Sequence, residues 1–153
     1  MAFTVAGVMA KARRTSPGDS CPIDRTMQVV GTRSAILLMR EALFGTFRFD
    51  DFVTRTGLTE AVVASRLREL VDEGLLVKEP YREPGQRTRS GYTLTDSGRD
   101  LMPAVVALGQ WGARHVRGTK PRTLKHEDCG EPVRIIAECA AHHRVGVEDT
   151  VVS

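Results

Sequence analysis

The sequence predicts a mostly helical domain carrying one small β-hairpin, an α+β fold, and three observations predict it. Five segments between residues 21 and 116 carry helix-period apolar positions bounded by capping and stop residues. Two short runs of strand character, "LLVKEPY" and "SGYTL", flank a loop marked by Pro84 and Gly85. After Gly118 the composition changes, so the helical part ends there and a small appendage follows.

The 153 residues suit one ordinary domain that buries most of its apolar surface in a single core. With 41% apolar and 27% charged residues the chain is globular rather than disordered. A net charge of +3 and a pI near 9.0 are compatible with a polyanionic partner without requiring one. Cys21, Cys129 and Cys139 are odd in number and scattered, which implies no disulfide framework and a reducing cytoplasm as the expected setting. In "MAFTVAGVMA" the apolar run precedes the charges of "KARR", the reverse of a secretory signal, and no stretch approaches bilayer-spanning length. The expected organisation is a flexible arm over 1–20, a helical domain over 21–118 and an appendage over 119–153. Arg13 and Arg14 in the arm either touch a phosphate backbone or are simply solvated.

Taken in order, Pro22 suits the first turn of a helix and Gly31 the position just past its end. Thr32 caps a second helix through "RSAILLMREALF", apolar on nearly every face from Ala35 to Met39 and therefore central. "GTFRFDDFVTRTG" places Phe49, Phe52 and Val53 at helical spacing before the stop at Gly57. Thr59 then caps a helix in which Val63, Leu67 and Leu70 form one inward stripe, with Glu60 in the first turn. Gly74 closes it, and Leu75 can pack back on Leu70. The hairpin follows, its loop carrying Arg82, Arg87 and Arg89. Thr95 caps the last long segment, where Leu101, Val105, Leu108 and Trp111 form a stripe and Pro103 kinks or restarts the helix.

A short helix joined by "RTGLT" to an exposed, capped helix is a helix-turn-helix, and the basic hairpin makes it a winged one. The motifs "CPIDRTMQVVG", "FDDFVTRTGLTEAVVASRLRELVDEGLL", "YTLTDSGRDL" and "ALGQWGARH" resemble those of the HxlR-type winged helix-turn-helix transcriptional regulators, over about Cys21 to His115. The resemblance implies a dimeric, cytoplasmic, double-stranded-DNA-binding regulator, expected to repress from a palindromic operator. The capped helix would enter the major groove, and the wing, Arg82 to Gly91, would lie on the neighbouring backbone or minor groove. A two-fold dimer sets half-sites about 10 bp apart or slightly more.

On the reading helix the candidate DNA contacts are Thr59, Glu60, Ala61, Ser65, Arg66 and Arg68, joined by Arg82, Arg87 and Arg89 of the wing. Small residues admit base edges, serine can donate or accept, and arginine grips guanine or phosphate. The bland reading of both is a solvated charged face. Relatives usually carry a basic or amide residue where this chain has Glu60 and Ala61, so base preference does not carry over. The dimer contacts implied are Ile23, Met27 and Val30 on the first helix and Leu101, Val105, Leu108 and Trp111 on the last. The family commonly has tryptophan at the position of Ser34. Losing it from a packed site costs about 3–5 kcal/mol unless the space is refilled. Either Phe44, Phe47 or Trp111 refills it, or a pocket for a small apolar effector opens among Ser34, Leu38, Phe44 and Trp111.

Cys21 lies where redox-responsive relatives carry a sensing cysteine, at a helix N-terminus that favours thiolate, but the expectation is a structural or incidental thiol marking the start of the dimerisation helix. His126-x2-Cys129-x9-Cys139-x2-His142, with His143 in reserve, makes zinc stereochemically conceivable. The expectation is instead a metal-free hairpin or strap, and no cofactor. The chain has no glycine-rich phosphate loop and no nucleophile–base set, so it does not read as an enzyme. The rival is a winged helix serving as a protein–protein adaptor, against which the basic wing argues.

Overall fold

Two threonines frame the helical domain. Thr32 Oγ1 accepts from the Ala35 N–H at 3.2 Å and Thr59 Oγ1 from the Val62 N–H at 3.4 Å, each satisfying a donor that the first turn leaves unpaired. The computed structural model describes residues 2–6, 21–120 and 122–152. Its elements are β1 (Thr4–Val5), α1 (Pro22–Val30), α2 (Arg33–Leu43), α3 (Phe49–Thr56), α4 (Glu60–Asp72), β2 (Leu76–Tyr81), β3 (Arg89–Leu94), α5 (Asp96–Asp100), α6 (Met102–His115) and β4 (Val151–Val152).

Residues Ile23–Pro121 form one unit. Helix α2 is its centre: Ala35, Leu38 and Met39 are fully buried, as the all-round apolar run requires. Phe52 of α3, Val63, Leu67 and Leu70 of α4, and Leu76 of β2 close over them. Glu41 is buried in the same helix, where its partners satisfy the carboxylate. Arg40 donates to its Oε1 at 2.5 and 3.0 Å, and Thr46 Oγ1 donates to its Oε2 at 3.3 Å.

Strands β2 and β3 pair antiparallel from Leu76↔Leu94 to Tyr81↔Arg89. Thr95 ties this hairpin to the next helix. Its hydroxyl donates to the Gly74 carbonyl at 2.6 Å and accepts from the Gly98 N–H at 3.0 Å. Pro103 restarts the helix rather than kinking it: α5 ends at Asp100 and α6 begins at Met102 with proline in its first turn, where no N–H is needed.

The two ends of the chain form the second unit, Met1–Pro22 with Arg122–Ser153. The arm expected to be free is paired at Thr4–Val5, which lies parallel to Val151–Val152. Its ladder begins with the Thr4 N–H on the Thr150 carbonyl at 3.1 Å. Two reverse turns follow one another in the appendage, closed by the bridges Lys125↔Pro132 and Glu138↔Arg144. Residues 7–20, including Arg13 and Arg14, lie outside the described residues.

Candidate nucleic-acid interface

The turn between α3 and α4 is three residues long, and its sharpness comes from Gly57. At φ 66° it takes the left-handed conformation that closes α3, and its N–H bonds the Val53 carbonyl at 3.0 Å. Leu58 packs on the core beside it. With Val63, Leu67 and Leu70 held inward, the helical period turns Ala61, Ser65, Arg68 and Asp72 to solvent. Thr59 and Glu60 are also exposed at the start of the helix. A face with alanine and serine near its N-terminal end lets another surface approach its backbone closely.

The outward face is organised by a residue that sequence alone did not single out. Glu69 accepts from Ser65 Oγ at 3.2 Å on Oε1 and pairs through Oε2 with Arg66. The spacings, four and three residues, place all three on one side of the helix and were legible as such. Arg66, a candidate DNA contact from the sequence, is thus engaged on the helix itself. It is partly buried, its Nε has no partner among the described residues, and its charge is taken up by Glu69. Arg68 is exposed and acts on Tyr92 of β3. Burial pushes the Tyr92 hydroxyl above the usual tyrosine value, and the Arg68 charge pulls part of the way back. Between Thr59 and Glu73 the carboxylates of Glu60, Glu69, Asp72 and Glu73 outnumber Arg66 and Arg68, so positive charge comes from elsewhere.

Much of that charge is on the wing, and it is partly spent. Arg89 donates to Asp50 of α3 at 3.0 Å, and Arg82 Nε donates to the Gln86 carbonyl at 2.9 Å. Arg87 is exposed and has no hydrogen-bond or ion-pair partner among the described residues. At the wing root Arg48 pairs with Glu83 and lies 5.7 Å over the Tyr81 ring, while Phe47 packs on Tyr81 at 5.1 Å. Phe49, Asp50, Tyr81, Arg87, Arg89 and Tyr92 are among the residues around an open cleft of about 500 Å³ between wing and α3. Sequence did not place Arg48, Phe47 and Asp50 at the wing, because their partners lie 34 to 39 residues away.

Helix α6 is the most apolar long helix, yet none of its residues is buried. Leu108 and Trp111 are each 55% exposed there, and Ile23 and Met27 stand out on α1 at 75% and 52%. Val30 corrects the sequence assignment: at 4% exposure it belongs to the core, since the last turn of α1 rolls inward. Leu101 also packs against the core, and Val105 is half-buried. Of the residues named for an effector pocket, Leu38 has no accessible surface, Phe44 is exposed at the end of α2, and Ser34 Oγ sits 3.2 Å from the capping Thr32 hydroxyl. Ser34, Leu38, Phe44 and Trp111 line neither the wing cleft nor a second cavity of about 380 Å³ around Arg25, Thr26, Gln28, Val29 and Glu73.

Cys21 is half-buried directly before α1, while Cys129 and Cys139 are exposed, and all three thiols are free. His126 Nδ1 lies 3.3 Å from Cys129 Sγ, whereas His142 turns to Glu138 at 2.7 Å. Among the described residues no three such groups gather around a common point.

An HxlR-like helix-turn-helix family model matches residues 29–120, from the end of α1 through α6. The chain belongs to the HxlR-like helix-turn-helix family. A helix-turn-helix-type transcriptional regulator of Mycobacterium tuberculosis, itself uncharacterised, is 39% identical over 111 residues, covering 71% of this chain and 69% of its own. The crystal structure of PA1607, a candidate transcription factor, superposes with a TM-score of 0.79 at 34% identity, over 90% of this chain and 96% of that one. The redox regulator HypR in its oxidised form gives a TM-score of 0.57 at 29% identity, over 62% of this chain and 97% of its own. The HxlR-like chain is thus a transcriptional regulator with a winged helix-turn-helix DNA-binding fold. Among its described residues no helix is long and apolar enough to cross a membrane.

Proposed function

We propose that this regulator binds a palindromic operator as a homodimer in the cytoplasm and represses by occupying it. Helix α4 enters the major groove, with Ala61 and Ser65 against base edges, Thr59 and Glu60 at its entry, and Arg68 further along. The wing follows the backbone through Arg87, with Arg82 and Arg89 beside it. Dimerisation uses α1 and α6. The observation that carries the reading is the pairing of an exposed α4 face, small near its entry, with a wing that offers Arg87, unpartnered among the described residues. The bare apolar face of α6 supports a two-fold partner, since such a surface is costly to leave in water. Two copies related by a two-fold axis present two α4 helices about one DNA turn apart.

The test is binding of the full chain to fragments of its own genome across a salt series, with its mass measured in solution. A dimer that neutralises about 6–10 phosphates loses roughly 10³–10⁵ in affinity between 50 and 200 mM salt. A flat salt response, or a monomer at micromolar concentration, removes the reading. Repression is tested separately with a reporter driven by the bound promoter.

A further inference from the structure

We infer that Glu69 sets the base preference of α4 by fixing the Ser65 hydroxyl as a hydrogen-bond acceptor. The inference rests on α4 being the reading helix. Ser65 is one of the most outward residues of that helix, and its hydroxyl has a single hydrogen to donate. That hydrogen is directed at Glu69 Oε1, 3.2 Å away. A carboxylate has no hydrogen of its own to give, so the direction of this bond is not ambiguous. The other oxygen, Oε2, is held by the Arg66 guanidinium, whose partly buried side chain anchors the carboxylate against the helix. Arg66 thus orients Glu69, and Glu69 orients Ser65.

A serine whose hydrogen is engaged meets a base edge with lone pairs only. In the major groove, cytosine N4 and adenine N6 carry donors, whereas guanine offers N7 and O6 as acceptors and thymine offers O4. Ser65 therefore selects cytosine or adenine at the base it faces, and rejects guanine and thymine by lone-pair repulsion. Glu60, exposed in the first turn of the same helix, is likewise acceptor-only. The two acceptors make the entry half of α4 a reader of exocyclic amino groups. Glu69 is a positioning residue here, since it acts through Ser65.

The test is selection from random-sequence DNA by the full chain, comparing wild type with Glu69→Ala, Glu69→Gln and Ser65→Ala. Affinities for single-base changes in the selected site follow. Wild type is expected to prefer cytosine or adenine at one position of each half-site by roughly 3- to 10-fold, the span of one hydrogen bond. Glu69→Ala frees the hydroxyl to rotate and flattens the preference at that position alone. Glu69→Gln retains it, because the amide oxygen still accepts from Ser65. Both Glu69 variants also bind all sequences more tightly, having lost a negative charge near phosphate, so overall affinity is not the readout. Ser65→Ala removes the preference at the same position. Undiminished preference in Glu69→Ala, or a preference at that position that Ser65→Ala leaves intact, overturns the inference and leaves DNA binding standing. No DNA selection by wild type overturns the inference together with the reading beneath it.

Discussion

Replacing Gly91 by alanine tests whether the wing is set by space rather than by backbone conformation. Gly91 lies buried in β3 with ordinary strand geometry, pairing with Glu79 and bridging to Arg48. A methyl group built on it falls 1.9 Å from Phe47 Cζ and 2.3 Å from each neighbouring ring carbon. Carbon atoms that touch prefer about 3.5–4.0 Å, so the ring has to retreat by roughly 1.5–2 Å. Its exits are limited, because it packs on Tyr81 and the Phe47 carbonyl accepts the Tyr92 N–H at 2.9 Å. Overpacking of this kind costs about 1–3 kcal/mol, and in a domain of about 100 residues each kcal/mol lowers Tm by roughly 4–8 °C. Displacing Phe47 also loosens Tyr81 and the strand leading to Arg87 and Arg89. Each phosphate that the wing then fails to neutralise reduces the salt slope of DNA binding by about 0.9. Thermal unfolding followed by circular dichroism gives the first quantity, and DNA titration at several salt concentrations gives the second. Adding Phe47→Leu opens the space and should recover part of both. Wild-type Tm with an unchanged salt slope in Gly91→Ala would refute the argument.

Other expectations concern charge, assembly and pH. Asp50→Ala releases Arg89 from its ion pair and should strengthen binding to all DNA sequences a few-fold, while Arg87→Ala weakens binding to all sequences equally. Gel-shift titrations on operator and unrelated DNA check both, and a sequence-selective loss from Arg87→Ala would count against a phosphate role. Trp111→Glu and Ile23→Glu put a charge on exposed apolar positions and should give folded monomers in light scattering. Persistence of dimers at micromolar concentration would take α1 and α6 out of the interface. Tyr92 is raised by burial, so the folded state holds its proton more tightly than the unfolded chain. Its contribution to stability is full below the ordinary tyrosine value of about 10 and is lost as pH rises through the raised one. Urea midpoints measured across that range should decline less steeply in Tyr92→Phe than in wild type.

The element order of the helical domain was legible from single residues because caps and stops act within one turn. Thr32, Thr59 and Thr95 each take the first-turn N–H their position implies, and Gly57 closes α3. The inward stripe Val63, Leu67 and Leu70 follows from the helical period alone, and so does the exposure of Ser65. Glu69, too, was within reach, since spacings of three and four residues already place it beside Arg66 and Ser65.

What sequence did not contain is which surfaces meet across distance. That Val30 turns to the core while Ile23 and Met27 face solvent depends on how α1 lies in the domain, not on its own period. The apolar run through Leu38 implied burial, but which elements close over it was decided by the fold. Asp50 and Arg89 are unremarkable charges 39 residues apart, and only the hairpin register brings them to 3.0 Å. Thr4–Val5 reads as part of a loose arm until the chain brings Val151–Val152 alongside it. Local hydrogen bonding and periodicity are written in neighbouring residues, and the sequence by itself determined the helices, the turn and the hairpin in that way. Ion pairs, burial and strand partners between distant segments are decided by packing, so the tertiary structure alone chose them.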